Sequence, residues 1–327
     1  MHVGIDLGTA TVLVYVKGKG IVIREPSVVA IDKKNGAIKA VGKEAREMLG
    51  RTHENIVAIR PLRDGVIANF NATEKMLKYF IKKVCAHRFF FFKPTVVICV
   101  PTQVTSVESR AVKEAALAAG AKTAVLIQEP MAAAIGSGLD VYAPVGNMVV
   151  DIGGGTTDVA VISLGGIVVG ESLRVAGNKM DEALVRYMRK SYNLLIGERT
   201  AEDLKLKIGN VYPQENLEPA EVKGRDLIDG LPRTVIISPE ETSEALEEPV
   251  SAMITTIKSV LEKTPPELAS DIIERGIIIT GGGALLRGLD KKIATNIGVP
   301  VRVADDPISS VAVGTGKAIL DMINATH

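Results

Sequence analysis

The sequence predicts an α/β protein made of two related halves, each a mixed sheet flanked by helices. Short apolar runs of strand length alternate with amphipathic segments of helical period along the 327 residues. A strand ending in Asp-x-Gly occurs twice, at Val3-Gly4-Ile5-Asp6-Leu7-Gly8-Thr9 and again at Met148-Val149-Val150-Asp151-Ile152-Gly153. Each copy opens a hairpin, so the second half restarts the plan of the first.

In the first half, Val3-Gly4-Ile5 and the run Val12-Leu13-Val14-Tyr15-Val16 are buried strands joined by the short polar turn Gly8-Thr9-Ala10-Thr11. Ile21-Val22-Ile23 continues the sheet. From Asn71 to His87 the period changes. Met76, Leu77, Phe80, Ile81 and Val84 line one helical face, and Lys75, Lys78, Lys82 and Lys83 the other. Thr95 to Val100 is a buried strand closed by Pro101. Ser106 to Ala119 is an Ala-rich helix ended by Gly120, a residue suited to the left-handed position past a helix. Ala124–Ile127 is the next strand, and Met131–Ile135 begins a short helix.

The second half follows with strands at 148–153, 159–162 and 167–169, a helix over 179–192 and a more polar region over 198–232. A long helix is expected over 240–261, with Met253, Ile257, Val260 and Leu261 on one face. Ile277–Ile279 is a strand, and a helix over 310–323 closes the chain.

Composition limits the function classes. Lys+Arg 39 against Asp+Glu 38 leaves a formal charge of +1, which offers no broad basic footprint for nucleic acid. With 46% hydrophobic residues and almost no net charge the chain is not disordered. Two cysteines, Cys85 and Cys99, are too few for a disulfide framework and fit a reducing cytoplasm. No apolar stretch approaches the roughly 18 residues that a membrane span needs. Met1 runs straight into Val3-Gly4-Ile5-Asp6 without a basic segment and cleavable apolar core, so secretion is not indicated.

Three glycine-bearing turns carry the chemistry. Asp6-Leu7-Gly8-Thr9 and Asp151-Ile152-Gly153-Gly154-Gly155-Thr156-Thr157 each place backbone N–H groups and hydroxyls at a hairpin bend, where the missing Cβ admits an oxyanion. Facing each other, they would clamp a polyphosphate from both sides. Asp6 and Asp151 would then hold a magnesium ion, through its water ligands. The third, Thr280-Gly281-Gly282-Gly283-Ala284, leads from a strand into an expected helix start, a favourable place for phosphate or a nucleoside edge. Each motif alone is most often an ordinary turn; three of them, each after an apolar run, point to a nucleotide. There is no Walker loop, no Gly-x-Gly-x-x-Gly after a strand and no Gly-x-Ser-x-Gly elbow, and the four histidines lack metal-ligand spacing.

On these residues the chain resembles the actin, Hsp70 and sugar-kinase ATPase superfamily over nearly its whole length. Within it, Asp6 to Ala10, Glu129-Pro130-Met131-Ala132-Ala133-Ala134-Ile135-Gly136, Asp151 to Thr157, Met180-Asp181-Glu182-Ala183 and Thr280 to Ala284 are most similar to the MreB family of bacterial actins. The resemblance implies an actin-like fold of four subdomains around an ATP cleft. Residues 1–140 with 310–327 would form one domain with an insertion at 31–69, and residues 141–309 the other with an insertion at 178–240. It implies Asp6, Gly8, Thr9, Ala10 and Thr11 at the phosphates, with Asp151, Gly153, Gly154, Gly155 and Thr156 opposite. Glu202, Lys205, Gly281, Gly282, Gly283 and Ala284 would hold the nucleoside, and Gly177 is a further nucleotide-binding residue. Glu129 would orient the attacking water, with Thr156 beside it, since phosphoryl transfer to water rests on positioning and charge neutralisation. Three residues depart from the family pattern: Thr11 for a common Asn, Gln128 for a frequent Glu, and Asn178 for a frequent Asp. They bear on the rate of hydrolysis and on which paralogue this is.

Phe89-Phe90-Phe91-Phe92 holds four of the six phenylalanines, between Arg88 and Lys93, where a loop is expected. Two readings are open: part of the run inserts into a membrane, or two of the rings simply begin the strand at Thr95. An inserted Phe contributes roughly 1.5–3 kcal/mol and each flanking cation on the order of 1 kcal/mol on anionic lipid. The expected function is an ATP-hydrolysing cytoskeletal polymer with paired protofilaments, peripheral on the inner face of the cell membrane. Its implied partners are the lipid surface, membrane-spanning adaptors and wall-elongation proteins. A small-metabolite kinase of the same superfamily is the alternative, and a chaperone is disfavoured because the closing helix leaves no room for a substrate domain.

Overall fold

The computed structural model describes residues 1–85, 93–213 and 217–324. The aromatic run Phe89–Phe92 lies outside the described residues.

In the first half, β1 (His2–Leu7), β2 (Thr11–Val16) and β3 (Gly20–Pro26) form an antiparallel meander. A small three-stranded sheet follows, of β4 (Val29–Asp32), β5 (Ile38–Val41) and β6 (Ile56–Ile59), with α1 (Lys43–Glu47) packed on it. The hairpin β7 (Leu62–Arg63) and β8 (Val66–Ile67) leads into α2 (Phe70–Cys85). Then come β9 (Thr95–Val100), α3 (Ser106–Ala118), β10 (Thr123–Gln128) and α4 (Glu129–Gly136). The second half runs β11 (Asn147–Ile152), β12 (Thr157–Ser163), β13 (Gly166–Leu173), α5 (Gly177–Tyr192), β14 (Leu194–Leu195) and α6 (Glu198–Ile208). It continues with β15 (Ala220–Asp226), β16 (Pro232–Ile237), α7 (Pro239–Glu262), α8 (Pro266–Arg275), β17 (Ile277–Thr280), α9 (Leu289–Ile297), β18 (Val301–Val303) and α10 (Ser310–Asn324).

The two large sheets share one plan. Their strand orders are β10-β9-β1-β2-β3 and β18-β17-β11-β12-β13. In both, the meander is antiparallel and the two strands beyond the central one are parallel to it. The meander strands are joined by turns, and the parallel strands by helical crossovers, as each pairing requires.

Where the turn chemistry is explicit, helix ends follow it. Thr105 and Ser238 cap α3 and α7 in full capping boxes with Glu108 and Glu241. Gly120, past α3, takes φ 109, a left-handed position. The small sheet at 29–59 and helices α8 and α9 have no counterpart in the periodicity reading, because their apolar stretches are short. The polar region after Glu198 is not irregular: it forms α6 and the hairpin β15–β16.

Between the large sheets lie α4 and α10, which cross each other. Each packs on the opposite half's sheet as well, α10 on β1 and β2, α4 on β11 and β12. Small residues permit this. A Cβ on Gly314 would run into the Ala132 carbonyl, and one on Gly136 into the Ser310 carbonyl. Gly4 meets the same helix, where a Cβ would stand 3.1 Å from Thr315 Cγ2. Val97, Cys99, Ala132, Ala133, Val149, Ala160 and Val311 fill this central core. Replacing Gly314 by Ala is expected to cost about 1–3 kcal/mol of stability, as overpacking does. An unchanged midpoint in urea denaturation would show that the helices can separate without penalty.

Candidate functional site

Both hairpin turns lie at the strand ends where the sheets face each other. Asp6 closes β1, and Gly8, Thr9 and Ala10 bend the chain into β2. Asp151 closes β11, and Gly153 to Thr156 bend it into β12, held by Gly153 N donating to Thr156 O at 2.9 Å. The turns almost touch. A Cβ on Gly154 would sit 2.6 Å from Ala10 Cβ, and one on Gly155 2.5 Å from Thr9 Oγ1. Only glycine fits there.

The β7–β8 turn supplies a third wall. Asp64 and Gly65 both take positive φ, 49° and 78°, as the tight turn demands. Gly65 N donates to Thr9 Oγ1 at 3.1 Å, and a Cβ on Gly65 would meet Thr156 Cγ2 at 2.7 Å. The Asp64-Gly65 pair was a readable turn signal between apolar runs, and the sequence reading passed over it.

On the second half, Gly177 N at the start of α5 donates to Gly153 O at 3.2 Å, and Asn178 N to Gly154 O at 2.8 Å. Lys205 on α6 donates to Gly177 O at 2.9 Å and forms a nearly buried ion pair with Asp181 at 2.7 Å. Burial pushes the Asp181 carboxyl up to about 6 while the lysine pulls it down. Glu202, one helical turn from Lys205, reaches across the cleft to Arg46 on α1 at 2.6 Å. Gly281, at φ 81, wraps the end of β11, since a Cβ there would stand 2.7 Å from Asp151 Oδ1. Beyond it, residues Gly282–Leu285 form a 3-10 turn, not the start of an α-helix. Gly281 and Gly283 stand against Ile152 of β11, and the next α-helix, α9, begins only at Leu289.

Glu129 is the first residue of α4, delivered there by β10 beside β9 and β1. It joins Asp6, Asp151 and Asp158 in one carboxylate group. Asp158 on β12 is fully buried and was not among the expected site residues; an acid in an otherwise apolar strand was its signal. Its Oδ1 accepts from Thr102 N of the first half at 2.7 Å. Burial raises all four carboxyls. Asp6 goes up to about 7, and Glu129 and Asp151 rise well above the ordinary carboxylate range. Repulsion adds to burial: Asp158, Asp151 and Asp6 act on Glu129, and Asp6 and Asp158 on Asp151.

The donor set is oxygen throughout, and Asp151 Oδ1 is buried with no hydrogen-bond partner. That chemistry fits a hard divalent cation such as magnesium, which keeps most of its own waters. Among the described residues no three His, Cys, Asp or Glu side chains stand close enough to chelate a metal alone. A cation here would therefore draw further oxygens from water and from a bound phosphate.

The three departures from the family pattern also have places. Thr11 begins β2, with its carbonyl under Gly8, where a Cβ would meet it at 2.6 Å. Gln128 Nε2 donates to Thr102 O at 3.4 Å on an exposed flank, and Asn178 Oδ1 accepts from Arg60 at 3.4 Å across the cleft.

Two facing glycine turns over a floor of carboxylates agree with what comparison with known proteins finds. The family model for the MreB/Mbl protein matches residues 1–327. The chain belongs to the MreB/Mbl family. It is 56% identical to the cell shape-determining protein Mbl of Bacillus cereus, over 96% of this chain and 94% of that one. Among solved structures, MreB5 of Spiroplasma citri bound to ADP superposes with TM-score 0.94 at 39% identity, covering 99% and 98% of the two chains. A subunit of the MamK double helical filament superposes with TM-score 0.82 at 25% identity, over 97% of each chain. This MreB/Mbl family member therefore has an actin-like fold.

The carboxylate floor dictates a pH dependence. Raised carboxyls hold protons more tightly in the folded state, so their contribution to stability is complete below about pH 4. It is lost as pH climbs through the folded value, about 7 for Asp6. The ligand-free protein is expected to lose stability between about pH 4 and pH 7, whereas Asp151→Asn flattens that slope. A urea midpoint that rises over this interval in the ligand-free protein would contradict the assignment.

Proposed function

We propose that this chain is an ATP-binding and ATP-hydrolysing cytoskeletal protein that assembles head to tail into filaments. The approach of the Asp6–Thr11 and Asp151–Thr156 turns carries the reading, because two anion-binding bends aimed at one place suit a polyphosphate. Structures of Spiroplasma citri MreB5 with ADP and the MamK filament support it by similarity. In this reading Gly8, Thr9, Ala10 and Thr11 contact the phosphates from one side, and Gly153, Gly154, Gly155 and Thr156 from the other. Gly177, Glu202, Lys205 and Gly281 to Ala284 surround the nucleoside. Residues 1–140 with 310–327 move as one domain and 141–309 as the other, the chain passing between them after α4 and before α10.

Asp6 and Asp151 would hold magnesium, and the ion would supply neutralisation of the phosphate charge. Glu129 accepts a hydrogen bond from the attacking water and aligns it with the terminal phosphate, and Thr156 Oγ1 holds the same water. A carboxylate can do this only when ionised. Its raised pKa makes Glu129 dependent on nearby positive charge, so water activation is tied to an occupied cleft. Glu129→Ala is expected to keep ATP affinity while slowing phosphate release at least tenfold; equal turnover by the variant would remove Glu129 from the mechanism.

Filaments on the inner membrane face, arranged as paired protofilaments, would meet lipid through Phe89 to Phe92. Weak contacts of single subunits then add along the polymer. No described helix is long and apolar enough to cross a membrane. Membrane-spanning adaptors and wall-elongation proteins are the partners that this location implies, and rod-shape control is the resulting role. Light scattering and vesicle co-sedimentation with ATP, ADP and no nucleotide test the proposal, and ATP-dependent pelleting is expected. A species that stays monomeric in every condition and transfers phosphate to a small metabolite would favour the kinase alternative. Phe90→Ser combined with Phe91→Ser should keep nucleotide binding and abolish vesicle pelleting.

A further inference from the structure

One ion pair in the cleft is not used by any of the chemistry above. Arg46 on α1 places its guanidinium 2.6 Å from Glu202 Oε2 on α6. The partners belong to different halves of the chain and are 156 positions apart. Their side chains are 37% and 27% exposed, so solvent screens the pair only in part.

Both ends are anchored. On the Arg46 side, the first N–H of α1, from Lys43, donates to Glu25 Oε2 on β3 at 3.0 Å, and Glu25 is itself held by Lys83 at 3.4 Å. A Cβ on Gly42, just before α1, would collide with that same carboxylate, so the helix start is seated against β3. On the Glu202 side, Lys205 follows three residues later on the same helical face. Through its bond to Gly177 O, and Gly177 N to Gly153 O, α6 is tied to the phosphate turn. The Arg46–Glu202 contact therefore spans the cleft one helical turn from Lys205, which is tied through Gly177 to the Gly153–Thr156 turn. In the proposed reading this is the side of the cleft that holds the nucleoside. A second cross-cleft contact, Arg60 to Asn178, stands on the same route at 3.4 Å.

We propose that Arg46 is a positioning residue of the nucleoside site. Its guanidinium takes Glu202 Oε2 and thereby turns Oε1 toward the ribose hydroxyls, and the pair must part before the nucleotide can leave. The proposal rests on the nucleotide reading and adds to it a residue from the opposite half of the chain. A charge-assisted hydrogen bond from a planar fork fixes the carboxylate plane in a way a free glutamate lacks. Ribose selectivity and slow release thus have one source. Without Arg46, Glu202 has no ion-pair partner on α1 to fix its carboxylate.

The test uses the full chain with magnesium and 1,N6-etheno-ATP, which is altered on the base and leaves the ribose hydroxyls free. Release is followed after a chase with excess ATP, and competition by ATP is compared with that by 2′,3′-dideoxy-ATP. For Arg46→Ala, release about fivefold faster is expected, the factor that loss of a partly screened ion pair represents. Its preference for ATP over the dideoxy analogue should shrink toward one. Arg46→Lys should retain much of both, and Arg46→Ala added to Glu202→Ala should release no faster than Glu202→Ala alone. An Arg46→Ala variant with wild-type release and wild-type preference would overturn the proposal. So would an equal loss of affinity for ATP and the dideoxy analogue, which would assign Arg46 to the packing of α1 alone. Absence of etheno-ATP binding by the wild-type protein would sink the nucleotide reading itself, and this proposal with it.

Discussion

The molecule is organised around two backbone turns that come closer than side chains allow. Gly154 against Ala10 and Gly155 against Thr9 leave no space for a single methyl group. For the turns to meet, the two sheets must bring their strand ends to one place. The helices between the sheets must in turn be thin enough to let them. Gly136 and Gly314 make α4 and α10 thin where they cross. The cleft and the central core are thus two consequences of one requirement, close approach without Cβ atoms.

Against that geometric economy stands an electrostatic cost. Asp6, Glu129, Asp151 and Asp158 are buried together, and among the described residues no cationic side chain lowers their pKa. Their carboxyls all rise, and Asp151 Oδ1 is left without a partner. A ligand that carries positive charge would relieve this repulsion. Contacts between the halves beside this floor, such as Thr102 N to Asp158 and Arg60 to Asn178, are hydrogen bonds. Bonds of that kind can be remade when the halves move.

The duplicated plan explains why the site is symmetric in its phosphate turns and asymmetric elsewhere. Both halves supply a strand-Asp-Gly turn, but only the second adds Gly281 to Ala284 and the Gly177–Lys205 lattice, while only the first adds Glu129. The insertions differ as well. The sheet β4–β6 carries α1 and Arg46, whereas α6 and the hairpin β15–β16 occupy the matching place in the other half. In the proposed reading, nucleoside contacts and water activation thus come from parts of the chain that the duplication does not share.

Sequence alone determined the repeated strand-turn motifs, the strand and helix periods of both large sheets, and the glycine positions, because these depend on neighbours a few residues apart. The third glycine run was legible as a turn after a strand, but its 3-10 geometry was not, since the approach of Gly281 and Gly283 to Ile152 exists only in the fold. Asp158, Asp64-Gly65 and Arg46 acquire their roles only from partners far along the chain: Thr102, Thr9 with Thr156, and Glu202. The pKa of a carboxyl was equally invisible in sequence. It is set by burial and by the charges the fold collects around it, and those distances exist only after the two halves have packed.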